Sequence, residues 1–102
     1  MVYYIDMKES NFLWDDLKNE QNRIKHKVGF EFAQYAFNDP KRVIARDRKH
    51  STDDEQRFFC YGTVEGNIMT VRFTLRNEKI RIFGAGYWRE GRKKYYEKNN
   101  LY

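Results

Sequence analysis

Apolar residues recur at helical spacings in the first part of the chain and alternate in the second. Phe12-Leu13-Trp14 reads as a short strand, and Asp15 suits the N-cap of the segment after it. In residues 16–27 and just beyond, Leu17, Ile24 and Val28 share one helical face, ringed by Lys18, Asn19, Asn22, Arg23 and Lys25. Val28-Gly29 ends or turns this helix. Phe30, Ala33 and Phe37 predict a second, shorter helix over 30–37, stopped by Asn38-Asp39-Pro40 because proline bars the preceding residue from helix. The period then becomes two. Residues 42–46 predict a strand burying Val43 and Ala45, and 47–56 a polar loop. Residues 57–65, 67–75 and 79–83 predict consecutive strands, turning at Glu65-Gly66-Asn67 and Arg76-Asn77-Glu78. Gly84-Ala85-Gly86 breaks the last strand before a helix over 89–99. The sum is an α+β domain: N-terminal helices packed on a mostly antiparallel four-stranded sheet, then a C-terminal helix.

The alternation assigns faces. Met69, Val71, Phe73 and Leu75 belong to the core side, with Ile80, Ile82, Phe58, Cys60 and Val64. Successive strand residues point to opposite sides. The other face therefore carries Arg57, Phe59, Tyr61 and Thr63, then Thr70, Arg72, Thr74 and Arg76, then Lys79, Arg81 and Phe83. Arginines interleaved with aromatics can hold phosphates and stack unpaired bases of a single-stranded nucleic acid. The same pattern equally describes a sheet face kept soluble by charge and guarded against edge pairing.

Composition sharpens this picture. The 102 residues carry 20 Lys+Arg against 15 Asp+Glu, a net charge of +5, with room for one domain. A mean hydropathy of −0.99 raises the question of disorder. Eight Phe, eight Tyr and two Trp answer it, because disordered chains are poor in aromatics. The excess charge is localised: residues 1–78 balance, whereas 79–102 hold seven cations against Glu90 and Glu97. A second basic block comprises Lys41, Arg42, Arg46, Arg48 and Lys49. Such clustering points to a polyanion partner. Cys60 is the only cysteine, which excludes an internal disulfide and fits a reducing cytoplasm. Met1-Val2-Tyr3-Tyr4-Ile5 is too short for a signal peptide, and no apolar run reaches the roughly 20 residues of a membrane span.

Few constellations for chemistry survive inspection. Phosphate-loop and dinucleotide motifs are absent, and His26 and His50 have no second histidine at helical spacing, so no metal or cofactor is expected. Cys60 falls on the core face and reads as a small buried hydrophobe. What remains is metal-free phosphodiester chemistry, in which RNA supplies its own nucleophile, the 2′-OH. Arginines on a rigid sheet stabilise the developing charge, and a His or carboxylate moves protons. His50, Glu55, His26 and Tyr61 are the candidate proton-transfer groups.

A set of short motifs then carries a resemblance. Trp14-Asp15, Lys18, Asn22, Lys25-His26, Phe30-Glu31, Ala33, Phe37 and Asp39-Pro40 stand in the first half. Asp47, His50-Ser51, Glu55, Arg57, Val71, Phe73-Thr74, Arg76 and Ile80-Arg81-Ile82 stand in the second. Together, over about residues 12–97, the chain resembles the BrnT family of bacterial toxins. The resemblance implies a RelE-like fold over residues 12–102, with 1–11 as an N-terminal extension. It also implies a cytoplasmic, RNA-cleaving toxin of the mRNA interferase type and a DNA-binding BrnA-type antitoxin as partner, with DNA contacted only through that antitoxin. Carried over by position, Arg57 and Arg76 are the active-site cations and His50 and Glu55 the acid/base candidates. Arg72, Arg81, Tyr61, Lys25, His26 and Arg89 are expected to hold RNA. The alternative is a RelE-like module that binds RNA or antitoxin without cutting. This chain departs from the pattern at Lys27, where many members have Gly, and at Gly84-Ala85-Gly86, where toxins commonly carry Ser-Ala-Arg.

Overall fold

The computed structural model describes residues 12–100, so the N-terminal extension and Met1-Val2-Tyr3-Tyr4-Ile5 lie outside the described residues. Strands β1 (Phe12–Leu13), β2 (Val43–Arg46), β3 (Arg57–Val64), β4 (Asn67–Arg76) and β5 (Lys79–Gly86) form one sheet in the order β1-β5-β4-β3-β2. All neighbours are antiparallel except β1, which runs parallel to β5. The short β1 makes five strands where the sequence predicts four. Helices α1 (Asp16–His26) and α2 (Phe30–Ala33) precede the meander, and α3 (Arg89–Asn99) follows it. The chain is therefore α+β. No described helix is long and apolar enough to cross a membrane. Both hairpin turns place their two central residues at positive φ, Glu65 and Gly66 in one, Asn77 and Glu78 in the other. That backbone matches the twist of the flanking strands.

The core follows the alternation. Phe58, Cys60, Val64, Met69, Val71, Phe73, Ile80 and Ile82 are buried against Phe30, Ala33, Ala36 and Phe37. Burial pushes the Cys60 thiol pKa up, which suits an inert packing group. The Phe37 ring meets Phe73 edge-on at 5.0 Å. The helix predicted over 30–37 divides after Ala33 into a 3₁₀ segment, Gln34–Asn38. Gly62 on β3 lies directly beneath the Ala36 carbonyl, so this segment rests on bare sheet backbone. Leu75, expected in the core, is 46% exposed. It lies near the end of β4, where it lines an open cleft with Gln56, Phe58 and Arg76.

Helix α1 reverses its predicted face. Leu17 and Ile24 are 67% and 66% exposed, and its buried residues are Asn19 and Asn22. The reason is what the helix packs on. Asn22 reaches the edge of β5, where its Oδ1 accepts from the Ala85 N–H at 3.3 Å and its Nδ2 donates to the Ala85 carbonyl at 2.9 Å. Nδ2 also donates to the Val28 carbonyl at 2.8 Å. Asn19 Oδ1 accepts from the Phe30 N–H at 2.8 Å, satisfying an orphan donor at the start of α2. An edge backbone and a helix N-terminus need amide partners, so polar residues win the buried stripe. The helix closes through Lys27, left-handed at φ 63, whose N–H donates to the Arg23 carbonyl. Glycine adopts that conformation without penalty, whereas a lysine enters it at a cost.

On the second face α3 covers one end of the sheet. Tyr61, Ile68 and Tyr95 form a small second cluster, with Val43, Ala45 and Phe59 packed on it. Asp39 anchors the helix: its Oδ2 accepts from the Tyr95 hydroxyl at 2.6 Å and from the Thr63 N–H and Oγ1 at 2.9 and 3.0 Å. Its Oδ1 accepts from the Lys41 N–H at 2.8 Å. Burial opposes ionisation of Asp39, and the hydrogen bonds from Tyr95, Thr63 and Lys41 outweigh it, holding the carboxyl below its ordinary value. A depressed carboxyl stabilises the fold above its unfolded pKa, and that contribution is lost as pH falls through the folded value. Asp39→Asn is expected to cost about 2 kcal/mol at neutral pH. Urea titrations should show the gap from the parent narrowing below about pH 4.

Candidate active site

Because α3 covers only one end, the other end of the second face stays open, and the arginines gather there. Arg57 begins β3, Arg72 lies on β4 opposite Phe59, and Phe83 lies on β5. A bulge aims Phe83: Arg72 pairs with Gly84 and Phe73 with Ile82, leaving Phe83 as the extra residue. The glycine run predicted to break this strand instead remains in it, through Gly86. The guanidinium carbons of Arg57 and Arg72 sit 4.7 and 5.2 Å from the centroid of the Phe83 ring. Contact with one aromatic ring thus holds both cations near each other in spite of their repulsion.

The 47–56 loop supplies carboxylates to these cations. Glu55 Oε1 lies 2.8 Å from Arg57 Nε, and its Oε2 lies 3.6 Å from Arg76 Nη2. The hydrogen bond from Arg57 lowers the Glu55 pKa. Glu55 thus stays ionised near neutrality and acts as a clamp on both arginines; as a proton donor it is poorly suited. At the other side of the cation pair, Asp47 Oδ2 lies 4.0 Å from Arg72 Nη2 and 2.8 Å from His50 Nδ1. Asp47 is buried, whereas the His50 side chain is 46% exposed. Its Oδ1 also accepts from the His50 N–H at 3.2 Å. With Nδ1 held by Asp47, Nε2 is the imidazole nitrogen left for proton transfer. Ser51 closes the loop: its hydroxyl donates to the Asp47 carbonyl at 2.6 Å and accepts from the Arg57 N–H at 2.8 Å. A chain of contacts therefore runs Arg76–Glu55–Arg57–Phe83–Arg72–Asp47–His50.

The expected residues divide accordingly. Arg57, Arg76, Glu55, His50 and Arg72 come together, and Arg81 lies across from Thr74 on the neighbouring strand. Tyr61 does not reach the open surface: it is buried under α3, and burial pushes its hydroxyl up to about 12. Thr70 is buried too, facing Gly91 of α3, and Thr74 is buried with its hydroxyl donating to the Gln56 carbonyl. His26 lies off the arginine pair, where it meets the Trp88 ring edge-on at 5.0 Å, and Lys25 and Arg89 are the chain neighbours of His26 and Trp88. Two residues were missed as site members. Asp47 was visible as an acid three residues before His50, and Phe83 as the aromatic before the glycines. Among the described residues, no group of three or more His, Cys, Asp or Glu is placed to share a metal ion.

A small α+β domain with paired arginines and an oriented histidine on an open sheet face has the makings of a protein that handles phosphodiesters. The family model for BrnT, the ribonuclease toxin of type II toxin–antitoxin systems, matches residues 14–91. The chain belongs to that family, and a type II toxin has an antitoxin as its partner. No curated protein matches the chain.

Proposed function

We propose that this protein cleaves single-stranded RNA in the cytoplasm without a metal ion, and that a BrnA-type antitoxin neutralises it by covering the open sheet face. The observation that carries the reading is the Arg57–Phe83–Arg72 stack beside the Asp47–His50 pair. A phosphate lying over the stack meets two guanidinium groups that neutralise charge building on its oxygens. The neighbouring 2′-oxygen gives its proton to His50 Nε2 and attacks phosphorus, and the bond to the 5′-oxygen breaks. That oxygen leaves with a proton from water or from the protonated imidazole. The products are a 2′,3′-cyclic phosphate and a 5′-hydroxyl end. Residues 12–102 act as one domain in this reading, with DNA contacted only through the antitoxin.

The purified protein should cut a single-stranded RNA in excess chelator and leave the 2′-O-methyl version intact. Its expression alone should arrest growth. Arg57→Ala is expected to lower cleavage about 10²- to 10³-fold with the fold retained, and Arg76→Ala to abolish toxicity likewise. A fully toxic Arg57→Ala protein would overturn the site. One observation favours the non-catalytic alternative: Gly86 stands where toxins commonly carry arginine, and the Trp88 ring covers it. Tight RNA retention by a harmless wild-type chain would decide for that alternative.

A further inference from the structure

We infer that Trp88, seated on Gly86, is a stacking platform for an unpaired RNA base next to the phosphate held at the arginine pair. The inference rests on the RNA-binding reading above, but not on cleavage. A Cβ at Gly86 would lie 2.6 Å from Trp88 Cη2 and 2.7 Å from Cζ2. The indole therefore occupies the volume that any side chain at position 86 would need. Only glycine lets the ring lie flat on the strand. Trp88 is also the N-cap residue of α3, yet its side chain makes no capping hydrogen bond. Ser, Thr, Asp and Asn are the residues that serve a helix there, so helix stability does not explain a tryptophan.

Its position does. Gly84 pairs with Arg72 and Gly86 with Thr70, so the indole sits two residues along β5 from the arginine stack. Two strand residues span about 7 Å, comparable to one nucleotide step of an extended single strand. Trp88 is 36% exposed. His26 braces it, and Lys25 and Arg89, both exposed, neighbour His26 and Trp88 in the chain. Aromatic stacking with flanking cations is the chemistry that retains single-stranded bases irrespective of sequence.

The test uses the full chain with Trp14→Phe, leaving Trp88 as the sole tryptophan, titrated with a 2′-O-methyl RNA hexamer that is bound but not cut. Saturable quenching is expected with the hexamer and not with an abasic strand of equal length. With affinity read from the anisotropy of a fluorescein-labelled hexamer, Trp88→Ala should weaken binding about tenfold or more, and Trp88→Phe should restore most of it. Gly86→Ala, which retains the tryptophan but displaces the ring, should weaken binding similarly. Unchanged affinity in Trp88→Ala, with binding still lost in Arg72→Ala, overturns the platform and leaves the RNA reading standing. Absence of binding by the parent overturns the RNA reading itself. Loss of antitoxin binding alone in Trp88→Ala identifies a protein contact and overturns the inference.

Discussion

His50→Ala is expected to reduce RNA cleavage by about 10²- to 10⁴-fold, the usual worth of a positioned acid–base group. Far-ultraviolet circular dichroism should remain unchanged, because the imidazole packs at a half-exposed rim. The more telling substitution is its partner. In the proposed reaction Asp47 touches no substrate and serves by fixing which imidazole nitrogen carries the proton. Asp47→Asn keeps the shape, but its amide N–H can donate to Nδ1 and thereby force the proton onto Nε2, removing the base. A loss close to that of His50→Ala, with substrate affinity preserved, is the expected signature. Near-normal turnover by Asp47→Asn would show that His50 is not the group that takes the proton. Initial rates on a fluorogenic single-stranded RNA, separated into kcat and KM, distinguish these outcomes.

The second large effect is on stability. Gly62→Ala would drive a methyl group into the Ala36 carbonyl, a backbone atom of the 3₁₀ segment that cannot swing aside. Alanine ordinarily suits a strand better than glycine, yet here the expected cost is about 3 kcal/mol or more. In a domain of this size that lowers Tm by roughly 10–20 °C. Gly84→Ala supplies the contrast. The atoms nearest its Cβ would belong to the flexible Arg72 side chain, the first at 3.4 Å, an ordinary contact. That variant should melt close to the parent in the same calorimetric scan.

Gly62 also illustrates how much of the molecule could be read in advance. Strand alternation located Phe58, Cys60, Met69, Val71, Phe73, Ile80 and Ile82 in the core, because a period of two leaves no choice once one face is apolar. Helix α1 defeated the same logic. Leu17 and Ile24 mark an apolar stripe, yet the surface beneath the helix is a strand edge and a helix N-terminus, both of which demand hydrogen bonds. Periodicity reports apolar faces and is blind to the polarity of what they would meet. Arg57, Arg72 and Arg76 were correctly placed on one face. Their division from Tyr61 depended on where α3 docks, a fact set by Asp39 and Tyr95, 56 positions apart in the chain. Asp47 stands in the motif with His50 and Ser51, but nothing in its neighbours reveals that it is buried or that it holds the imidazole. The role of Phe83 depended on a bulge that no composition rule announces.

The amide of Asn22 has a consequence for assembly. A sheet grows by accepting another strand along an unpaired edge. From Ile82 onward β5 has no neighbour in β1, and Asn22 occupies that stretch, mimicking one residue of a sixth strand and ending the ladder there. On this side the described sheet offers an incoming peptide only the two residues of β1. The opposite margin is β2, flanked by Arg42 and ending in Arg46. A partner that binds by lengthening this sheet is thereby directed to β2, where an acidic strand would find its own counter-charges waiting.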